Sequence, residues 1–299
     1  MSRSATPLSS FLAGLSVGDA LPVRVMAILN VSPESFYQGS VQTRRERFAE
    51  AAQAMVNAGA DIIDIGAMST APYLKTHISV AEETARLAQA VEVVAAAVTI
   101  PISADTQRAQ PAAAALAAGA RIINDVSGLK QDPAMAALIA EAGAGAILMA
   151  SEVTPGTGAP TARIGAPTAR TGAPMARIQE ALVESLQIAA QAGIPREHIV
   201  LDPGIGFFRK LGMPWDDWDC TVLRELSSLR VLGAPLLIGV SRKSFIGKIL
   251  GQPQAAERLL GSLACAAVTV CNGAHLIRTH DVRETIETVR MAERLRPER

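Results

Sequence analysis

Cysteine is scarce in this 299-residue chain, and Cys220, Cys265 and Cys271 form no C-x-x-C pair. That spacing excludes a disulfide framework and a zinc signature. Cys265 and Cys271 lie in an Ala/Val-rich helical run and read as buried thiols. Charge of either sign is not in excess either, with Lys+Arg and Asp+Glu at 28 each. No global field therefore favours nucleic acid or an anionic membrane, and any anion must be held by a local constellation. No uninterrupted apolar run reaches the roughly 18 residues that a membrane span needs. The N-terminal stretch has one Arg, no apolar core of signal-peptide length and no A-x-A site. The expected compartment is the reducing cytoplasm.

What is present is a large apolar inventory, 49% hydrophobic against 19% charged, which suits a globular chain with a sizeable core. Short β-branched runs alternate with longer Ala/Leu/Glu-rich amphipathic ones. The strand candidates are Val23–Leu29, Asp61–Ile65, Ile102–Ala104, Ile122–Val126, Ala146–Met149, Ile199–Leu201, Leu236–Val240 and His275–Arg278. Between them lie helical stretches such as Thr43–Ala58, Ala81–Ala97, Gln110–Ala118, Pro133–Ala142, Ile178–Ala192 and Ala255–Cys271. Alternating strands and helices imply right-handed βαβ units and a parallel sheet. Eight such units in this length predict an α/β fold of the closed (β/α)8 TIM-barrel kind rather than an open sheet. Gly59, Gly119, Gly143 and Gly273 each follow a helical run and read as C-caps before the next strand.

Two segments stand outside this pattern. Residues 1–22 have no clear place in the barrel and read as an N-terminal tail or a plug at its bottom, leaving 23–299 as one domain. Within 152–178, residues 158–178 repeat GAPTARI-GAPTART-GAPMARI. Heptad spacing hints at a coiled coil, but the Gly and Pro in every copy exclude it. The plain reading is an expanded loop after the fifth barrel strand. The functional one is a basic lid carrying Arg163, Arg170 and Arg177.

In such a barrel the chemistry collects where strands end. The first strand ends in Asn30, the second carries Asp64, the third ends in Asp105, and the fourth carries Asn124 and Asp125. The sixth ends in Asp202, the seventh in Ser241-Arg242-Lys243, and the eighth in Arg278-Thr279-His280-Asp281. One such residue means little, and Asp281 reads most simply as the cap of the last helix. Seven of eight strands presenting Asn, Asp, Lys, Arg or His at the same end is different. Arg242, Lys243, Arg278 and His280 fall where barrels commonly hold phosphate and can grip a polyanion. Asn30 can ligate Mg²⁺ through its amide oxygen, completing a diphosphate site. Opposite, Asp105, Asn124 and Asp202 suit a flat heterocycle with several N–H donors. A metal cage competes for the same residues, although the Glu and His ligands it wants are missing.

Seven segments in order, MAILNVSPESF, GADIIDIGAMST, ISADT, INDVSG, LDPGIGF, GVSRKSFIG and IRTHDV, give the chain its resemblance to the dihydropteroate synthase family. That resemblance spans the whole barrel. It implies that 6-hydroxymethyl-7,8-dihydropterin diphosphate loses diphosphate to the amine of 4-aminobenzoate, in folate biosynthesis. It also implies that Asp105, Asn124, Asp202 and Lys243 read the pterin, while Asn30, Arg278 and His280 hold the diphosphate with Mg²⁺. Thr70 and Ser241 would lie near the arylamine, and Asp105, Lys243, Arg278 and His280 would carry the catalysis. The implied partners are small-molecule substrates and, as is common in the family, a second copy of the chain packed through C-terminal helices such as Leu259–Cys271.

The loops depart from the family pattern. A stretch resembling SFSDGG is here Ser35-Phe36-Tyr37-Gln38-Gly39-Ser40, one resembling GGESTRPG is Gly66-Ala67-Met68-Ser69-Thr70-Ala71-Pro72-Tyr73, and an expected MHM is Met149-Ala150-Ser151. Gln38 and Ala71 thus replace an acid and a base. The first two variants resemble the tetrahydromethanopterin branch, whose arylamine is a ribofuranosyl-aminobenzene 5′-phosphate. Alternatives are a pterin-binding paralogue without catalysis, a methyl-tetrahydrofolate methyltransferase, and a scaffold barrel. Retention of Lys243, Arg278 and His280 argues against the first two, because neither has a diphosphate to hold.

Overall fold

The computed structural model describes residues 7–31, 41–67, 78–152, 173–208 and 212–296. Two short antiparallel strands come first, β1 (Ser9–Leu12) and β2 (Leu15–Gly18). Eight parallel strands follow: β3 (Arg24–Asn30), β4 (Ile62–Gly66), β5 (Ile102–Asp105), β6 (Ile122–Asp125), β7 (Gly145–Met149), β8 (Ile199–Asp202), β9 (Leu237–Ile238) and β10 (Leu276–Thr279). They pair in the order β8-β7-β6-β5-β4-β3-β10-β9. A parallel bridge between Leu201 and Leu236 joins the two edges. This is the (β/α)8 barrel that the alternation predicts, with β9 shorter than expected.

The outer layer contains α1 (Val41–Asn57), α2 (Val80–Ala97), α3 (Ala109–Ala118), α4 (Met135–Ala142), α5 (Pro174–Gln191), α6 (Trp215–Arg224), α7 (Ser244–Leu250), α8 (Leu259–Cys271) and α9 (Val282–Leu295). The expected C-cap glycines all have positive φ, from 60° at Gly143 to 119° at Gly119. Three sequence expectations change. The third repeat copy is not loop throughout, because Pro174 opens α5 at a position where its missing N–H costs nothing. Residues Ala255–Arg258 form a 3-10 turn before α8 rather than its first turn. Cys271 is exposed, not buried.

Strand periodicity separates two cores. Outward positions such as Val25, Ala27, Ile63, Ile65, Ile123 and Leu148 pack beneath the helices. Inward positions one residue away form a second cluster, which includes Met26, Ile62, Ile122, Ile147, Val200 and Leu276. Alternation of side chains across a strand makes this separation automatic. Leu12 and Val17 of the hairpin complete that inner cluster, both with no exposed surface. The hairpin was not among the strands expected from the sequence, and it packs against the barrel floor rather than trailing away from it. Asp19 anchors it, accepting from Leu8 N (2.7 Å), from both Nη atoms of Arg230 (2.7 and 2.8 Å) and pairing with His275 Nε2 at 3.0 Å. The bonds from Arg230 hold the Asp19 carboxyl well below the usual range. Leu12→Ala should therefore lower the unfolding free energy by about 2–5 kcal/mol in denaturant titration. A loss below the range of a surface substitution would mean that the hairpin does not carry the floor.

Candidate active site

Two residues above the apolar floor on the same inward faces stand Asp64, Asn124, Asp202 and Arg278, directly over Ile62, Ile122, Val200 and Leu276. Asp105 joins them from the end of β5, paired in register with Gly66 on one side and Asn124 on the other. The barrel interior thus changes from hydrocarbon to charge within one strand repeat.

Arg278 is the hub of this layer. Its Nε donates to Asp64 Oδ2 at 2.6 Å and its Nη2 to Asp105 Oδ2 at 2.8 Å. Asn124 Nδ2 donates to the same Asp64 oxygen at 3.1 Å. The second oxygens, Asp64 Oδ1 and Asp105 Oδ1, are buried and have no hydrogen-bond partner among the described residues. Unpaired buried carboxylate oxygens are costly in a finished core, so they mark places for donors from a ligand. Asp202 leans on its own loop, its Oδ1 accepting from Gly204 N at 2.7 Å. Gly204 has φ +76° and a Cβ there would come within 2.9 Å of Ala150 O, so only glycine lets this loop close on β7. Lys243 Nζ lies 4.7 Å from the centre of the Phe207 ring, a cation–π distance.

Burial pushes the Asp105 carboxyl up to about 7; Arg278 opposes the rise, and Asp64, Glu83 and Asp125 add to it. Asp202 is also raised by burial, against the pull of Gly204 N–H, Lys243 and Arg278. The other flank is cationic. His280 is pushed down to about 4, first by burial and then by Arg278, Arg242 and Lys243, with Asp281 opposing. Its Nδ1 lies 3.0 Å from Ser241 Oγ, and its backbone N–H donates to that oxygen at 3.2 Å. A neutral imidazole ringed by cations is a site short of an anion. An anion bound there would draw the His280 pKa back up. Binding of inorganic diphosphate near pH 5.5 should take up protons, read as a dependence of calorimetric heat on buffer ionisation enthalpy. His280→Ala should remove most of that uptake, and equal uptake in parent and variant would detach the anion from this ring.

Sequence reasoning brought the right strands together but divided the charges differently. Arg278, expected among the diphosphate cations, is paired instead with the carboxylates opposite. Arg242 is likewise spent on a carboxylate of the protein: its Nε and Nη2 donate to Asp281 at 3.0 and 2.5 Å. Asp281 occupies the N-cap position of α9 but makes no side-chain cap bond. Ser241, expected beside the arylamine, sits against His280. Arg177, read as part of a lid, pairs with Glu152 through Nε at 2.8 Å and lies 6.0 Å over Trp218. Asn30 ends β3 exposed, and its Oδ1 flanks Gly66 on one side as Asp105 Oδ2 does on the other. Thr70, Gln38, Ala71, Arg163 and Arg170 lie outside the described residues. Asp64 has a place on the second strand in the sequence reading but no role there, and the structure makes it a partner of Arg278. Its signal was available, since an acid in the apolar run IIDIG is a buried charge that needs a partner.

A family model described as pterin binding enzyme matches residues 26–280. The chain is 38% identical over 283 residues to the dihydropteroate synthase of Escherichia coli K12, covering 95% of each chain. Against the dihydropteroate synthase of a Synechocystis strain it is 37% identical over 271 residues, covering 91% of this chain and 89% of that one. Among solved structures, the Xanthomonas albilineans dihydropteroate synthase with 7,8-dihydropteroate superposes with a TM-score of 0.80 at 30% identity, over 97% of this chain and 100% of that one. The same organism's synthase with 4-aminobenzoic acid gives 0.82 at 30% identity, over 98% and 100%. With these sequence and structural matches resting on the same strands that build the charged layer, the chain belongs to the dihydropteroate synthase family of pterin-binding enzymes.

Proposed function

We propose that the chain condenses 6-hydroxymethyl-7,8-dihydropterin diphosphate with 4-aminobenzoate and releases diphosphate, a step of folate biosynthesis. One observation carries the reading: a buried layer with open carboxylate oxygens on Asp64 and Asp105 adjoins a flank where His280 is kept neutral by burial and then by surrounding cations. The first surface is complementary to a ring edge rich in N–H groups, the second to a polyanion. The relatives of known name act in the same sense.

As diphosphate departs, positive charge develops on the exocyclic methylene. Asp105 in its ionised form would stabilise that charge, and the flank formed by Ser241, Lys243 and His280 would receive negative charge on the leaving group. Asp202 and Asn124 would complete the pterin edge with Lys243, and Arg278 would set the geometry and charge of Asp64 and Asp105. The arylamine nitrogen is nucleophilic when neutral, so no strong base is required.

Among the described residues no group of three or more His, Cys, Asp or Glu side chains could hold a metal alone. That composition fits Mg²⁺ carried largely by substrate oxygens and water, with the amide of Asn30 as protein donor. When bound, the ion would neutralise charge on the diphosphate. Exposed Leu260, Val268, Met291 and Leu295 on α8 and α9 support a homodimer through these helices. No helix among the described residues is long and apolar enough to cross a membrane.

Turnover tests the reading directly. 7,8-Dihydropteroate should form with 4-aminobenzoate in preference to the condensation with its ribosyl 5′-phosphate derivative, with stoichiometric diphosphate. Preference for the ribosylated amine would move the enzyme to the tetrahydromethanopterin reaction, and turnover of neither would refute both. Lys243→Ala and Asp202→Ala should each weaken binding of a pterin ligand by about 1–3 kcal/mol in calorimetry, the cost of leaving a buried polar edge unpaired. Unchanged affinity in both would remove them from the pocket.

A further inference from the structure

Arg242 adopts φ +56°, a left-handed conformation that residues other than Gly, Asn and Asp rarely enter. It lies between Ser241, which meets His280, and Lys243, which lies over Phe207. Strain at such a position persists only where its surroundings hold it. Here the surroundings can be named. The Arg242 N–H donates to Ser262 Oγ at 2.8 Å, and the Arg242 carbonyl accepts from Arg258 Nη1 at 3.0 Å. The two holders are themselves linked, since Ser262 Oγ donates to Arg258 O at 2.7 Å. Arg258 spends its remaining donors on carbonyls of the preceding turn, Nε to Gln252 O at 3.0 Å and Nη2 to Pro253 O. Gly247 leaves room for this guanidinium, because a Cβ there would fall 2.4 Å from Arg258 Nε. The Arg242 side chain is turned away to Asp281.

We propose that Ser262 and Arg258 are positioning residues that clamp the backbone of Arg242 in its left-handed state and thereby direct Ser241 and Lys243 to opposite parts of the site. Neither residue touches substrate in this scheme. They act through a strand that is unusually short: β9 ends at Ile238, so the ladder no longer dictates where residues 240–243 run. The clamp supplies what the sheet does not. The inference rests on the proposed reaction for its kinetic readout only.

The test is a double-mutant cycle. Ser262→Ala should lower kcat/KM for the pterin diphosphate by about tenfold, the kinetic equivalent of one hydrogen bond, while Ser262→Thr, which keeps the hydroxyl, should restore it. Glycine takes positive φ without cost, so in an Arg242→Gly background Ser262→Ala should cost less than about threefold. A purely structural serine would cost the same factor in both backgrounds, and that result overturns the proposal. So does an unchanged kcat/KM in folded Ser262→Ala. Should Ser262→Ala not fold alone, folding regained in the glycine background supports the clamp, and failure in both backgrounds counts against it. If the parent makes no dihydropteroate, the function reading falls, and the same cycle is scored by the calorimetric affinity for inorganic diphosphate, where additivity again overturns the clamp.

Discussion

Replacing Arg278 with alanine should cost both stability and turnover, and the two losses should depend on pH in opposite directions. Arg278 is the cation that meets Asp64 and Asp105 at 2.6 and 2.8 Å, and Asp64 has no exposed surface. Removing one partner of a buried ion pair leaves the other charge uncompensated, typically about 3–5 kcal/mol. Here two carboxylates lose the same partner. With its lowering influence gone, the Asp105 carboxyl moves further above its already raised position. The deficit in stability should therefore be largest in alkaline solution and shrink as Asp105 takes up its proton. Near neutrality turnover should fall by about 10²–10³, because an Asp105 carboxyl held protonated cannot face a developing cation, and that loss should ease as alkaline solution ionises it. Arg278→Lys should rescue little: one ammonium cannot reproduce a fork that reaches two oxygens on different strands. Denaturant titrations at pH 5.5 and 8 beside steady-state kinetics read all of this. A variant within the range of a surface substitution at both pH values would show that Arg278 is not the hub.

The distribution of these groups shows what the sequence made legible. Strand positions were readable because β-branched runs between amphipathic helices have few other ways to fold, and strand ends were readable because one end of a barrel is where polar residues collect. Asp105, Asn124, Asp202, Lys243 and His280 followed from that rule alone. Pairing did not follow. Whether Arg278 turns to a phosphate or to Asp64 depends on which inward positions of β4, β5 and β10 share a level, and levels are set by stagger around the barrel. The alternation does encode this in part, since Asp64 stands two residues above Ile62 as Arg278 does above Leu276. Other features left no periodic signal. The β1–β2 hairpin consists of two four-residue strands with a turn at Ala13-Gly14, too short to distinguish from a polar tail. The left-handed backbone of Arg242 is invisible because its residue type argues against it and its holders, Arg258 and Ser262, lie sixteen and twenty residues away.

Asp105→Asn separates function from stability most sharply, because the same buried charge should help one and harm the other. Burial raises the Asp105 pKa from 3.8 to about 7. For an acid raised in this way the folded chain binds the proton more tightly than the unfolded one. Its contribution to stability is complete below about pH 4 and is lost as pH rises through about 7. Asparagine neither binds nor releases that proton. The stability difference should then shift in favour of the variant between pH 4 and pH 8, by an amount on the order of a few kcal/mol. Activity should move the opposite way. If the ionised form stabilises the methylene cation, the parent's kcat/KM rises with pH through a limb near 7, and the variant loses both that limb and about 10²–10³ of the rate. Arg278 should remain paired to Asp64 in the variant, so the barrel mouth keeps its frame. An Asp105→Asn enzyme that keeps the limb would assign the titration to another group, Asp202 first. One that keeps the rate would mean that the open oxygen of Asp105 serves binding alone.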